Sequence, residues 1–171
     1  GSENSAAQAR AAVDELSHRF RVDPEFGPKI REVRTRLEKL DSDGRNLKTG
    51  PGGLYDIDYM CGYLLVQHGM EDVRKDVRQT IASLHARGLL SIPDAQGLDS
   101  ASELLRAVEH AIRLVLGKAR KALPASGNMR QAVEDLTFAS LNDSFSGHRD
   151  LSAVMQRAFL TVREIYARIV A

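Results

Sequence analysis

The chain has 171 residues, enough to bury one respectable core, and a single helical domain over 1–171 is the expectation. Its 24 basic and 23 acidic residues leave a net charge of +1, without the basic excess that phosphate-dominated nucleic-acid binders carry. The lone Cys61 excludes an intramolecular disulfide and a Cys-rich zinc site. No apolar run reaches membrane length and no secretory signal opens the chain, so no membrane partner and a reducing, cytoplasmic setting are expected.

Aromatic residues make up 5% and Trp is absent. The core must therefore come from Leu, Val, Ile and Ala, a palette suited to packing helix on helix. Gly1 and Ser2 read as a cloning remnant, and 1–5 as an unstructured start. From Ala6 to Phe20, Ala9, Val13, Leu16 and Phe20 recur at helical spacing. Asp23-Pro24 interrupts and starts a second helix, in which Ile30, Val33, Leu37 and Leu40 form the apolar packing stripe. Arg31, Arg34, Glu38 and Lys39 lie mostly off that stripe.

Residues Asp41 to Gly53 are polar and glycine-rich, which predicts a loop. Leu54, Ile57, Met60, Cys61, Leu64 and Leu65 mark a third helix that Gly69 ends. A fourth spans about Asp72 to Arg87, with Val73, Val77, Ile81 and Leu84 on one face and Gly88 behind it. A turn is expected from Ser91 to Gly97 around Pro93. The longest helix then covers about Ser100 to Ala122, lined by Leu104, Leu105, Val108, Ile112, Val115, Leu116 and Ala119, and closed by Pro124. Asn128 to Phe138 is a shorter helical stretch, Asn142 to Gly147 is loop-like, and Leu151 to Ile169 is the last helix. No segment alternates as a strand would. The predicted fold is all-α, with six to seven helices.

Two polar groupings stand out. In NLKTGPGGLYDIDY, residues 46–59, Lys48, Gly50, Gly52 and Gly53 precede a helix whose first turns hold Asp56 and Asp58. Glycines let a backbone approach a ligand closely, and free N–H groups at a helix start favour anions. A lysine could supply a point charge to a phosphate. The alternative is a tight helix entry, with Asp56 meeting the helix dipole. The spacing departs from a P-loop, because no Lys-Ser or Lys-Thr follows the last glycine. Asp56 and Asp58 point about 200° apart on a regular helix, so they do not share one metal. The second grouping is Arg106, Glu109, His110 and Arg113, with Arg120 beyond, on the long helix. Arg106, His110 and Arg113 make one stripe, and Glu109 is within ion-pairing distance of either arginine. That stripe is an anion or partner surface, or a solvated salt-bridged face. His18, His68, His85 and His148 show no ligand spacing, and Cys61 sits among apolar residues. The residues alone give no catalytic site and no metal site.

NLKTGPGGLYDIDYMCGYLLVQHG resembles the Asn-Leu-Lys-x-Gly-x-Gly-Gly-hydrophobic-x-Asp-hydrophobic-Glu-Phe motif of glutamine synthetase adenylyltransferases. Gln67 and His68-Gly69 match the Gln and His-Gly that follow it there. IREVRTRLEKL upstream, then VRQTIASLHARGLLS and LLRAVEHAIRLVLGKARKALP downstream, extend the similarity over Ile30 to Pro124 in order. Departures are Asp58-Tyr59 where the family usually has Glu-Phe, and Tyr55 at a position often Arg or Val.

The resemblance implies a helical domain that follows a nucleotidyltransferase domain. The parent enzyme would transfer AMP from ATP, with Mg²⁺, to glutamine synthetase and remove it again, under control of the PII signal protein and glutamine. Its catalytic Gly-Ser followed by Asp-x-Asp is absent here, so this chain carries no catalytic residue by itself. Lys48, Gly50, Gly52, Gly53, Asp56 and Asp58 would face the nucleotide cleft or the domain interface. The corresponding helical domain of a PII uridylyltransferase, or a stand-alone interaction domain, is the alternative.

Overall fold

A computed structural model of the chain describes residues 2–40, 46–70, 76–141, 145 and 150–170. Those residues form seven α-helices and no strand: α1 (Ser2–Arg21), α2 (Phe26–Lys39), α3 (Leu54–Gln67), α4 (Val77–Ala86), α5 (Ile92–Leu116), α6 (Asn128–Ser140) and α7 (Leu151–Ile169). The all-α reading holds. Asp72 and Val73, placed in the fourth helix, lie outside the described residues, as does most of the stretch expected to be a loop at Asn142 to Gly147. Helix α1 begins at Ser2, inside the stretch 1–5 expected to be unstructured.

Side-chain caps set several boundaries. The Asp76 carboxylate accepts from the Gln79 N–H at 2.9 Å, and Asp150 accepts from the Ala153 N–H at 3.0 Å. At the start of α5 the Ser91 hydroxyl accepts from the Asp94 N–H and donates to the Asp94 carboxylate. This corrects the turn expected over Ser91 to Gly97. Pro93 sits in the first helical turn, where its missing N–H would have been unpaired anyway. Helix α5 also stops at Leu116 rather than Ala122, because Gly117 takes a left-handed φ of 65°.

Helices α5 and α7 run through two apolar clusters. The first gathers Ile57, Met60 and Leu64 of α3 and Ile81 and Leu84 of α4. Ala95, Leu98 and Ala101 from the first half of α5, with Val162, Ile165 and Tyr166 of α7, complete it. The second joins Leu104, Leu105, Val108 and Ile112 to Val133 of α6, Leu151, Val154 and Met155 of α7, and Leu47 and Leu54 at the ends of the glycine-rich loop. Gly97 lies at the crossing of α5 and α7, where an added Cβ would meet the Thr161 methyl group at 3.0 Å. Each fully buried Leu or Ile contributes roughly 1.5–3 kcal/mol, so these clusters dominate the apolar stabilisation.

Helix α2 departs from its predicted packing. Val33 is 41% and Leu40 76% exposed, whereas Arg34, expected off the packing face, is 1% exposed. The helix keeps Ile30 on the first cluster and Phe26 stacked on Tyr63, and beside them it turns a polar face inward. Arg31 donates to the Val170 carbonyl, Arg34 pairs with Asp56, and Glu38 pairs with Arg163.

Candidate functional site: a glycine-rich loop between two charge networks

The loop at 46–53 is held by its own backbone. The Asn46 side-chain oxygen accepts from the N–H groups of Lys48 and Thr49, at 3.0 and 3.3 Å. The N–H groups of Gly50, Gly53, Leu54, Tyr55 and Asp56 donate to the carbonyls of Asn46, Gly50, Leu47, Lys48 and Gly53 in turn. The Leu47 N–H donates to the Lys121 carbonyl, and the Gly52 N–H to the Asp56 carboxylate at 2.7 Å. Pro51 has none. Every N–H from 47 to 56 is therefore engaged inside the chain, and an anion would have to displace one of these bonds. The residues do not fit a phosphate cradle of free N–H groups.

The glycines answer to close packing. Gly52 has φ of 77°, and a Cβ there would overlap the Phe159 carbonyl oxygen and lie 2.6 Å from the Phe159 carbonyl carbon. Only glycine lets the loop lie against the backbone of α7. A Cβ at Gly53 would sit 2.7 Å from the Lys48 oxygen and 2.8 Å from the Leu47 oxygen. That contact is the tight turn leading into α3.

Asp56 is fully buried. One oxygen lies 2.5 Å from Arg34 Nε, and the other accepts from the Gly52 N–H and lies 3.3 Å from Arg163 Nη1. Arg34 Nη2 donates to the Gly50 carbonyl at 2.9 Å. Glu38 completes the group by accepting from Arg163 at 2.7 Å. Two cations and two anions thus join α2, the loop, α3 and α7 as a neutral set. The Tyr166 hydroxyl is buried beside these charges without a hydrogen-bond partner among the described residues, and the Arg163 guanidinium stands 5.5 Å from its ring centre. Burial foremost, then the Asp56 charge, pushes this phenol up to about 12.

The outward side of the same loop carries a second set. Lys48 Nζ lies 2.9 Å from Glu109 Oε1, and Arg113 donates to that same oxygen at 2.6 Å. Burial pushes the Glu109 carboxyl up, but the Lys48 and Arg113 hydrogen bonds prevail and hold it below the usual range. Asp58 faces α5 and lies 3.9 Å from Arg106 Nη2. Burial raises its carboxyl against the pull of Arg106 and Lys48. Arg106 also donates to the Ser102 hydroxyl, and His110 is exposed on the same helix.

The structure therefore unites the two sequence groupings. Lys48 and Asp58 meet Arg106, Glu109 and Arg113 on one face, while Gly50, Gly52, Gly53 and Asp56 belong to the interior. Arg34, Glu38 and Arg163 were missed as members of the site. The Arg-rich stretch before the glycines was visible, but nothing in its spacing marked Arg34 as the buried one. Burial pushes the Cys61 thiol up to about 12, which leaves it a poor nucleophile. Among the described residues, no three His, Cys, Asp or Glu gather where they could hold a metal.

An all-helical fold pinned around a glycine-rich loop, with a buried charge network on one side of it and an exposed one on the other, is the class of protein these observations define. Residues 25–170 match the family described as GlnD PII-uridylyltransferase, and the chain belongs to that family. It is 30% identical over 155 residues to the bifunctional glutamine synthetase adenylyltransferase/adenylyl-removing enzyme of Mycobacterium leprae, covering 85% of this chain and 15% of that protein. The enzyme of the same name from Nocardia farcinica is 33% identical over 108 residues, 60% of this chain and 11% of that protein. The one from Streptomyces coelicolor is 32% identical over 120 residues, 67% and 12%. The similarity to adenylyltransferases read from the glycine motif is met, and the family match runs past Pro124 to residue 170. The chain spans only about 15% of the length of the first of these relatives.

Proposed function

We propose that this chain is a helical accessory module of a glutamine synthetase adenylyltransferase. The parent enzyme would transfer AMP from ATP to glutamine synthetase and remove it, with the PII signal protein as regulator. The observation that carries the reading is the outward charge set. Lys48, Asp58, Arg106, Glu109 and Arg113 come from two distant stretches of the family-matched sequence and meet on one face, where their partly exposed side chains suit a polar docking surface for a nucleotidyltransferase domain in cis.

ATP and Mg²⁺ belong, in this reading, to that neighbouring domain. The loop's engaged N–H groups and the enclosed Asp56 leave this loop without a phosphate cradle or a carboxylate pair of its own. Its contribution is positional: Lys48 is fixed by a loop whose other side is locked to α2 and α7, so the surface meets its partner in one geometry.

The test is a chimera in which this chain replaces the matched segment of the Mycobacterium leprae enzyme. AMP transfer to glutamine synthetase is expected to persist, and Lys48→Ala or Glu109→Lys to lower it by about tenfold, the equivalent of one lost interfacial pair. Unchanged turnover and nucleotide affinity in both variants would sink the assignment. Calorimetry of Mg-ATP on the chain alone is expected to give no saturable heat. Saturable binding that Lys48→Ala weakens would instead put part of the nucleotide site on this domain. A second reading is favoured by the family description itself, namely the corresponding helical module of a PII uridylyltransferase. It predicts that a chimera with such an enzyme supports UMP transfer to PII where the adenylyltransferase chimera is inactive.

A further inference from the structure

Beyond Lys48 and Arg113 the outward face continues into a basic run. Residues 117–121, Gly-Lys-Ala-Arg-Lys, leave α5 at Gly117, whose φ of 65° turns the chain out of the helix. They run back to the glycine loop, where the Lys121 carbonyl accepts from the Leu47 N–H at 2.9 Å. Just past it, Leu123 packs on the second cluster and the Pro124 carbonyl accepts from Arg130 at 3.3 Å. The backbone of the run is thus fixed at both ends. Its side chains are not: Lys118, Arg120 and Lys121 are all exposed, and among the described residues none has an ion pair or a side-chain hydrogen bond.

A helix C-terminus attracts cations, but that effect fades within the last turn. It accounts for Lys118 beside Gly117 and not for Arg120 or Lys121. Together with Lys48, Arg106 and Arg113 these residues make six cations, and the carboxylates paired with them on this face are two, Asp58 and Glu109. That is an excess of four positive charges on a chain whose net charge is +1, so the rest of the chain is acidic in balance. Free cations on a fixed backbone complement an anionic partner. The two carboxylates narrow its class. A uniformly charged strand, such as a nucleic acid, would lay phosphates against Asp58 and Glu109. A polypeptide sets acidic side chains on the free cations and neutral or basic ones beside the carboxylates. A lone phosphate finds no cradle, because the loop N–H groups are engaged. We propose that the basic run 118–121 is a docking site for an acidic polypeptide segment. That the segment belongs to a nucleotidyltransferase domain in cis rests on the function proposed above; its acidic chemistry rests on the run itself.

Fluorescence anisotropy of a short labelled peptide with Glu at every third position, titrated with the whole chain at low salt, is expected to reach half-saturation at ~100 μM. Lys118→Ser, Arg120→Ser and Lys121→Ser together should weaken it about tenfold, as three exposed pairs would, with helicity and melting unchanged. Arg10→Ser, Arg87→Ser and Arg157→Ser remove three equally exposed charges elsewhere and should leave the affinity within about twofold. Raising the salt about tenfold should abolish binding to the native chain, a reading that needs no variant. A peptide that does not bind, that salt does not displace, or that both triple variants weaken equally overturns the proposal. So does a short single-stranded RNA, or tripolyphosphate, that binds more tightly than the peptide. The chimera with Lys48→Ala and Glu109→Lys decides whether the face docks a domain in cis, and the peptide titration decides the run, so either reading can fail alone.

Discussion

The inward and outward sides of one loop use the same kinds of residue to opposite ends. Arg34 and Asp56 are 1% and 0% exposed at 2.5 Å, whereas Lys48 and Glu109 are 41% and 17% exposed at 2.9 Å. The separations are similar but the surroundings are not. Buried charges leave water at a cost of several kcal/mol each, so each becomes indispensable to its partner. Exposed charges keep most of their hydration, and their pairing adds little to stability. The inward set therefore governs whether the loop forms. The outward set is free to exchange its partners for those of a docking protein, which is why the functional reading rests on it.

The comparison is broken most severely at Gly52. Gly52→Ala forces a Cβ into the α7 backbone at a positive φ, and a loss above about 4 kcal/mol, or failure to fold, is expected in urea titration. Arg34→Met comes next. It leaves Asp56 charged and enclosed, and should cost about 3–5 kcal/mol. A double change of Arg34 and Asp56 to apolar residues of similar volume should recover much of that loss. If Arg34→Met melted like the native chain, the buried set would be no more than a surface pair. Lys48→Ala should change stability by less than about 1 kcal/mol, so any larger effect on AMP transfer in a chimera would be a property of docking rather than of folding.

The smallest effect sharpens the contrast through pH. The Tyr166 phenol is raised to about 12, from an ordinary value of 10.0. The unfolded chain loses that proton first, so it binds fewer protons than the native state between pH 10 and 12. The stability Tyr166 contributes is complete below pH 10 and declines as pH rises toward 12. Phenolate absorbance should show a late-titrating component that Tyr166→Phe removes. Because its hydroxyl has no partner among the described residues, that replacement should not lower neutral-pH stability by more than about 0.5 kcal/mol.

Local chemistry made much of the fold legible. The apolar periodicity of α3, α5 and α7 and the glycines at 69 and 88 are signals written over a few neighbouring residues. The glycine loop was visible too, because three glycines and a proline within four residues leave few backbone choices. Both ends of α5 were misread, the far one because Gly117, read as lying inside the helix, ends it with a left-handed φ. Pro93 reads as a turn but also suits a helix start, and only the Ser91 cap and the packing of Gly97 against α7 select the latter.

What the sequence determined by itself is the helical class, the loop and the family, since propensity, turn chemistry and ordered motifs act at short range. The tertiary structure alone decided which charges are buried. Arg34 and Arg36 are two residues apart in the same helix; one is 1% exposed against Asp56, and the other pairs with Glu32 in solvent. The difference comes from Asp56 and Arg163, which lie 22 and 129 positions further along the chain from Arg34. An ion pair forms inside a protein only where folding brings the opposite charge to meet it, and that meeting is a property of the packed helices.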